Sequence, residues 1–511
     1  MNNKISASLK LLGLAGVAFS GLSLSVSSAL AAGIEDTYTL PVITDDCGGE
    51  GCSDRRNQSF EQFQALLTAA ANGETHAASA TEASSDAAAD LYYGVGHEVP
   101  QLVYLNFEQS SPTFQAIAFA GVPEVFVSHT YTQEERDAIQ ANIEAAYSEF
   151  KIQVTQTEPT EGDYSTLNFE CQTDSGICID FGGGILFGRA QAIDLGNANR
   201  NDSAFADASL WEVTVQLDPT GGFFSRVSGI PVVDGDVQAA LSTAIINQAS
   251  NTGAHELGHN LGLRHHDSFG SPGSGLPSTG VPSPDAFFPV FDGLQEGDEA
   301  ILHTMASGAS VGSGLTDSTT RTRFFSERSA IKLKAAERGK LTPEGNYSTA
   351  QTRIPFKNVD VPNTILIGDN AGKEMRVKAS IIEGSIDVAG EMDYYRFSAK
   401  AGLSLSAEFN GFDVPVGDAV IGALRLFYVG NDGYLYLVAQ NFQNFEGFDA
   451  FLIDAPLDLA GDYILEVSAP NFVSFGYNED GSPILFPLEE TGNGALRDGD
   501  YHLTMYVVES K

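Results

Sequence analysis

The chain has 511 residues, more than one ordinary domain holds, so two or three folded units are expected. Hydrophobic residues make up 42%, enough to fill real cores, which excludes a wholly disordered chain. With 27 Lys+Arg against 67 Asp+Glu the net charge is −40, a sign that repels nucleic acid and anionic membrane surfaces and excludes both as natural partners.

Residues 1–31 read as a secretory signal peptide. Lys4 and Lys10 give a positive start, an apolar Ser-containing stretch follows, and Ala29-Leu30-Ala31 offers small residues before a cut. The alternative, a membrane anchor, is disfavoured by the many Ser and Gly and by the lack of a basic flank. A secreted, monomeric protein is therefore expected. Residues 32–97 read as a pro-segment or linker, because residues 69–90 are rich in Ala, Ser, Thr and acids and lack large apolar side chains. The four cysteines fall into two close pairs, Cys47 with Cys52 and Cys171 with Cys178, which suggests two local disulfides in an oxidising exterior.

A folded unit is expected over residues 98–345. Leu102 to Phe107 alternates as a strand. Thr132 with Glu135 forms a capping box, and Ile139, Ile143, Ala146, Tyr147 and Phe150 recur at helical spacing. Ile152 to Thr155, Tyr164 to Phe169 and Trp211 to Leu217 read as further strands, so the unit is mixed α/β. A long helix is expected from Asp236 to Leu263 and another from Ser326 to Arg338, with a Gly/Pro/Ser-rich loop between them. Over residues 360–511 helical patterns vanish and short alternating strands recur between glycine turns, which reads as an all-β sandwich.

The chemistry lies in the segment HELGHNLGLRH, His255 to His265. His255 and His259 are four apart, so one helix face carries both toward one ion. Glu256 sits beside the first ligand, where a carboxylate can serve as general base. Gly262 lets the chain turn sharply, which brings back His265 as a third nitrogen ligand. Three imidazoles with one open position form a catalytic zinc pattern rather than a closed structural one. His266 is off the ligand spacing by one. Asp267 reads as a solvated loop acid, the alternative being that it orients a ligand, and His303 reads either as a plain turn residue or as one lining the cleft. His76, His97, His129 and His502 read as structural or surface residues.

His255, Glu256, His259, Gly262 and His265 match the metzincin signature HExxHxxGxxH, so residues 98–340 resemble that clan of zinc peptidases. The resemblance implies an α+β catalytic domain, a twisted mixed sheet plus an active-site helix. It also implies a methionine turn beneath the metal, to which Met305 in ILHTMASG corresponds, and a closing helix, which matches the helix after Phe324-Phe325-Ser326-Glu327. The implied activity is a zinc endopeptidase acting on protein or peptide substrates laid along a sheet edge. Two departures stand out. Ser307 occupies the place where some metzincins carry a further Tyr ligand, and Cys47 lacks the usual surroundings of a latency cysteine. The stretches 384–402, 448–469 and 498–509 resemble the bacterial pre-peptidase C-terminal domain, a β-sandwich appended to secreted peptidases and sometimes trimmed off. Asp387 and Asp393 could bind calcium there, although turn punctuation is the plainer reading. The competing functional readings are a catalytically idle secreted adhesion or binding protein with a structural zinc, and a zinc hydrolase acting on a non-peptide bond.

Overall fold

The structure, a computed structural model, describes residues 57–58, 100–267, 303–305, 325–361 and 376–509, short stretches within those ranges excepted. The expected signal peptide lies outside the described residues, and so does the expected linker except Asn57–Gln58, which pair as a short strand with Leu435 and Tyr436 instead of staying unstructured. Cys47 and Cys52 lie outside them too, and the disulfide expected between Cys47 and Cys52 is not among those the structure describes. Among the described residues no helix is long and apolar enough to cross a membrane.

The first unit is built on a five-stranded sheet in the order Ile152–Thr155, Gln101–Asn106, Tyr164–Asn168, Ser203–Ala206, Gly188–Ala190. The first four strands run parallel, and the edge strand Gly188–Ala190 is antiparallel to its neighbour. Gln101–Asn106 alternates buried and half-buried positions, the signature of a strand with one face on the core. The helix Gln133–Ala146 starts at Thr132, whose side chain accepts from Glu135 N while Glu135 reaches back to Thr132 N, a full capping box. Its Ile139 and Ile143 pack against the long helix Val237–Asn260 in one core. A hairpin of Thr113–Ile117 and Pro123–Val127 joins Ile179–Asp180 and Gly184–Ile185 in a small separate sheet.

The segment read as a strand from Trp211 to Leu217 is instead part of the helix Ser209–Leu217. Leu210, Trp211, Val213, Thr214 and Val215 are all buried, so both alternation and helical burial fit the sequence, and packing decided for the helix.

His129 ties this region together. Its Nε2 lies 3.0 Å from Glu135 and its Nδ1 2.7 Å from Glu212. Burial alone would depress the imidazole, but the hydrogen bonds it donates to both carboxylates overcome that and raise it from 6.5 to about 9. A raised folded-state pKa stabilises fully below the unfolded value and is lost as pH rises through the folded one. Stability of the wild type should therefore drop between pH 7 and pH 10, by on the order of 2 kcal/mol. Urea titrations over that range should show the drop, and His129→Gln should flatten it.

The C-terminal half is almost all strand. One sheet runs Asn57–Gln58, Leu435–Asn441, Ala423–Val429, Gly461–Ser468, Met392–Ala399, Thr349–Arg353. The other runs Thr342–Pro343, Val377–Ile386, Gly499–Glu509, Leu403–Asn410, Phe451–Leu457, with Lys357–Val359 paired beside Val377–Ile386. Tyr395, Phe397, Leu426 and Leu465 from the first sheet share one core with Leu405, Phe409, Leu452 and Leu503 from the second, which is compatible with a β-sandwich. Asp393 does not mark a turn. It lies inside Met392–Ala399, is buried, and accepts a 2.5 Å hydrogen bond from Tyr501. Asp387 is exposed and accepts from Ser385.

The two halves meet at the helix Glu327–Ala336, capped by Ser326. Ala330 and Leu333 belong to the core of the first unit. Ile331 and Ala335 belong to a second cluster with Val377, Ala379, Tyr506 and Val508 of the β half. The helix is thus buried between two cores, and its charged residues must be paired. Arg328 reaches Asp454 at 2.5 Å and Tyr506 at 3.2 Å, and Lys332 reaches Asp267 at 2.7 Å and Glu408 at 2.6 Å.

Candidate metal centre

The helix Val237–Asn260 begins with Asp236 capping Ala239 N and runs 24 residues into the sheet's flank. Asn247 to Asn260 are all buried, so its last turns lie inside the molecule and its histidines have little water to solvate them. The helix ends in a Schellman turn. Leu263 N donates to Gly258 O and Gly262 N to His259 O, both at 2.9 Å, with Gly262 at φ 87°. That reversal returns the chain and places His265 against the two helical histidines.

The three imidazoles converge. His255 Nε2 lies 3.1 Å from His265 Nε2 and 3.2 Å from His259 Nε2. Metal–nitrogen bonds of ~2.05 Å put the ligand atoms of a tetrahedral site about 3.3 Å apart, so the spacing suits one shared ion. The far nitrogens agree. His255 Nδ1 donates to Thr304 O at 2.7 Å and His259 Nδ1 to Leu263 O at 2.8 Å. Those bonds place the proton on Nδ1 of His255 and His259 and turn their Nε2 atoms toward the shared centre. The residues present therefore fit a metal ion.

Glu256 is 7% exposed and lies against the edge strand. A Cβ at Gly188 would sit 2.6 Å from Glu256 Oε1, and Ala190 N hydrogen-bonds the carboxylate. Burial pushes this carboxyl up to about 8 in the metal-free chain, against the opposing pull of His265. A cation on the imidazoles would draw it down.

Met305 is fully buried beneath the helix, where a Cβ at Gly258 would collide with its Sδ. The residues around Met305 also supply Thr304 O to His255, a role the spacing alone did not reveal. Asp267 is not a solvated loop acid. It is 1% exposed, accepts from Arg264 N at 2.7 Å and pairs with Lys332. Arg264, immediately before His265, is also buried and reaches Glu408 at 2.6 Å and Asp449 at 2.5 Å, both in the β half. The ligand turn is thereby anchored to strands far away in sequence. Only the long side chains could have hinted at this. His303 is buried beside Thr304. His502 is buried as well, and burial lowers it to about 4, a structural role.

Of the two expected disulfides, the structure describes one. Cys171 and Cys178 are bonded with Cα atoms 5.9 Å apart, so they do not act as ligands even though Asp207 lies close. The pairing of Cys47 with Cys52 falls outside the described residues and stays an expectation from sequence spacing. His266 and Ser307 lie outside the described residues too.

Gly262 has a definite physical reason. A Cβ there would meet Asp194 O at 2.7 Å and Leu195 Cα at 2.8 Å, both backbone atoms that cannot rotate away. Gly262→Ala should cost about 2–3 kcal/mol, from the left-handed φ and the collision together. Thermal unfolding and a competitive metal titration should both register it, the latter as weaker binding.

No family model and no curated protein matches the chain. Among solved structures, it is similar over 25% of its length to the periplasmic inhibitor of g-type lysozyme from Aeromonas hydrophila, covering 85% of that chain at 14% identity and TM-score 0.16. The corresponding inhibitor from Salmonella Typhimurium gives 13% identity, 25% and 90% coverage and TM-score 0.15. The GM1-bound ECX AB5 holotoxin gives 15% identity, 34% and 56% coverage and TM-score 0.18. These similarities are too slight to carry a fold or a function.

Proposed function

We propose that the chain is an exported, metzincin-type zinc endopeptidase that hydrolyses extracellular proteins, with His255, His259 and His265 holding the ion and Glu256 as general base. The observation that carries the reading is the meeting of three Nε2 atoms beside a buried carboxylate. Zinc, when bound, supplies positive charge that polarises the scissile carbonyl and acidifies the attacking water. Glu256 accepts the water's proton and delivers it to the leaving amine, so the peptide bond breaks without a covalent enzyme intermediate. The antiparallel edge strand Gly188–Ala190 lies against Glu256, where an extended substrate can add as a further strand. A purely structural zinc has no use for a base at an open coordination position, which weighs against the idle binding protein. The β half takes the part of the pre-peptidase C-terminal domain.

The test uses residues 32–511. Purified protein should contain stoichiometric zinc and cleave casein or gelatin. Activity should vanish with a zinc chelator and return on zinc addition. Protein without stoichiometric transition metal, or cleavage indifferent to the chelator, removes the reading.

A further inference from the structure

The loop joining the edge strand Gly188–Ala190 to Ser203–Ala206 carries a second constellation. Asp194, Asn197 and Asp202 are exposed by 0%, 6% and 2%. Asn199 sits between the two carboxylates. Its main-chain N–H donates to Asp194 Oδ2 at 2.8 Å, and its side-chain amide donates to Asp202 Oδ1. One oxygen of each carboxylate is used in this way. The other two, Asp194 Oδ1 and Asp202 Oδ2, accept no hydrogen bond among the described residues, and neither does Asn197 Oδ1. Asn197 is fixed in the left-handed region at φ 52°. Its N–H donates to Asp194 O at 2.9 Å and its amide nitrogen to Gln101 at 3.1 Å, which leaves its side-chain oxygen over.

Among the described residues no cation is paired with these acids: neither aspartate takes part in an ion pair. Arg200, in the same loop, donates to Gln101 Oε1 and Pro100 O. Buried carboxylates are normally paired or hold a metal, and buried oxygens without donors carry an uncompensated loss of hydration. We propose that Asp194 Oδ1, Asn197 Oδ1 and Asp202 Oδ2 form a calcium site distinct from the three-histidine centre. Two carboxylates and an amide oxygen on one short loop suit a hard cation that takes six to eight oxygens, with water and main-chain carbonyls completing the shell. Magnesium, which holds its waters and demands a tighter octahedron, suits it less. Without such a charge, burial raises Asp202 to about 7.

The position gives the ion a task. Asp194 N donates to His259 O at 3.2 Å, and Asp194 O and Leu195 are the atoms against which Gly262 turns. On the far side, Asn410 Nδ2 donates to Ile193 O at 2.7 Å. Calcium would stiffen the wall behind the ligand turn and the joint with the β half. The proposal stands whether or not the imidazoles carry zinc.

The test uses zinc-replete full-length protein freed of calcium. Equilibrium dialysis should show one tight calcium per chain, and a calcium excess of 100 times Kd should raise Tm by roughly 5 °C. Asp202→Asn should weaken calcium binding at least 100-fold and remove the Tm response, while Asp387→Asn should change neither. Asn197→Asp, which adds a charge to the shell, should bind calcium more tightly and covers the case in which Asp202→Asn fails to fold. Wild type that binds no calcium, binding untouched by Asp202→Asn, an equal response to magnesium, or weaker binding by Asn197→Asp would each overturn the proposal. A calcium-indifferent wild type whose Asp202→Asn variant gains stability would mean that the two acids share a proton instead.

Discussion

Replacing Glu256 by Gln should reduce peptide-bond hydrolysis by at least about 10³-fold while leaving zinc content unchanged. The carboxylate is the only group in the proposed chemistry that moves a proton, and a positioned general base contributes about 10²–10⁴-fold. The amide cannot take a proton from water at any working pH. The fold should survive, because Gln fills the same space and removes a buried carboxyl that burial already pushes up to about 8. Single-turnover assays on casein, with metal analysis of the same samples, check both halves of the expectation. Equal activity in wild type and variant would discard Glu256 as the base and leave the three imidazoles as a metal site alone.

The second large effect is expected at Glu408. Its Oε1 lies 2.6 Å from Arg264 Nε as an ion pair, its Oε2 accepts from Lys332 Nζ at 2.6 Å, and all three side chains are buried. Asp267 and Asp449 complete the cluster, and Asp449 also accepts Gly411 N at 3.0 Å. Removing one partner of a buried ionic cluster strands the rest, at about 3–5 kcal/mol. Glu408→Ala should lose that much in denaturant titration. It should also weaken zinc binding by at least about tenfold, since Arg264 is the residue next to His265 and a freed Arg264 loosens the third ligand. Arg353 provides the contrast. It pairs with Asp462 at 3.1 Å but is 52% exposed, so Arg353→Ala should stay within about 1 kcal/mol and leave zinc affinity alone. Equal effects at the two positions would mean that the buried cluster does not secure the ligand turn.

The sequence carried the local parts of this architecture well. The spacing of His255, Glu256, His259, Gly262 and His265 is short-range, and a helix with a Schellman turn converts it directly into convergence. Thr132 with Glu135 was legible for the same reason, since both partners lie within one turn. Trp211 to Leu217 was not. Its Val-Thr-Val run alternates like a strand, and the helix has no side-chain cap at Ala208 to announce its start. Val377–Ile386 and Phe451–Leu457 are made strands by pairing with Gly499–Glu509 and Leu403–Asn410, partners tens of residues or more away, and not by local pattern alone. Asp267 was misjudged for a related cause. Its partner Lys332 is 65 residues away, and nothing near Asp267 reveals that water is excluded there. Long-range electrostatics leaves no periodic trace, so the half of the site that holds the histidines in place was invisible while the histidines themselves were plain.

The helix Glu327–Ala336 sets an order of events during biosynthesis. Arg264 and Lys332 emerge before Glu408, Asp449 and Asp454, the acids that neutralise them and Arg328. A chain interrupted before Glu408 lacks the acids that meet Arg264 and Arg328, and Lys332 keeps only Asp267. Such a fragment cannot close its joint, so a prematurely ended product is marked by its own unmatched charge before any partly built centre can act on its surroundings.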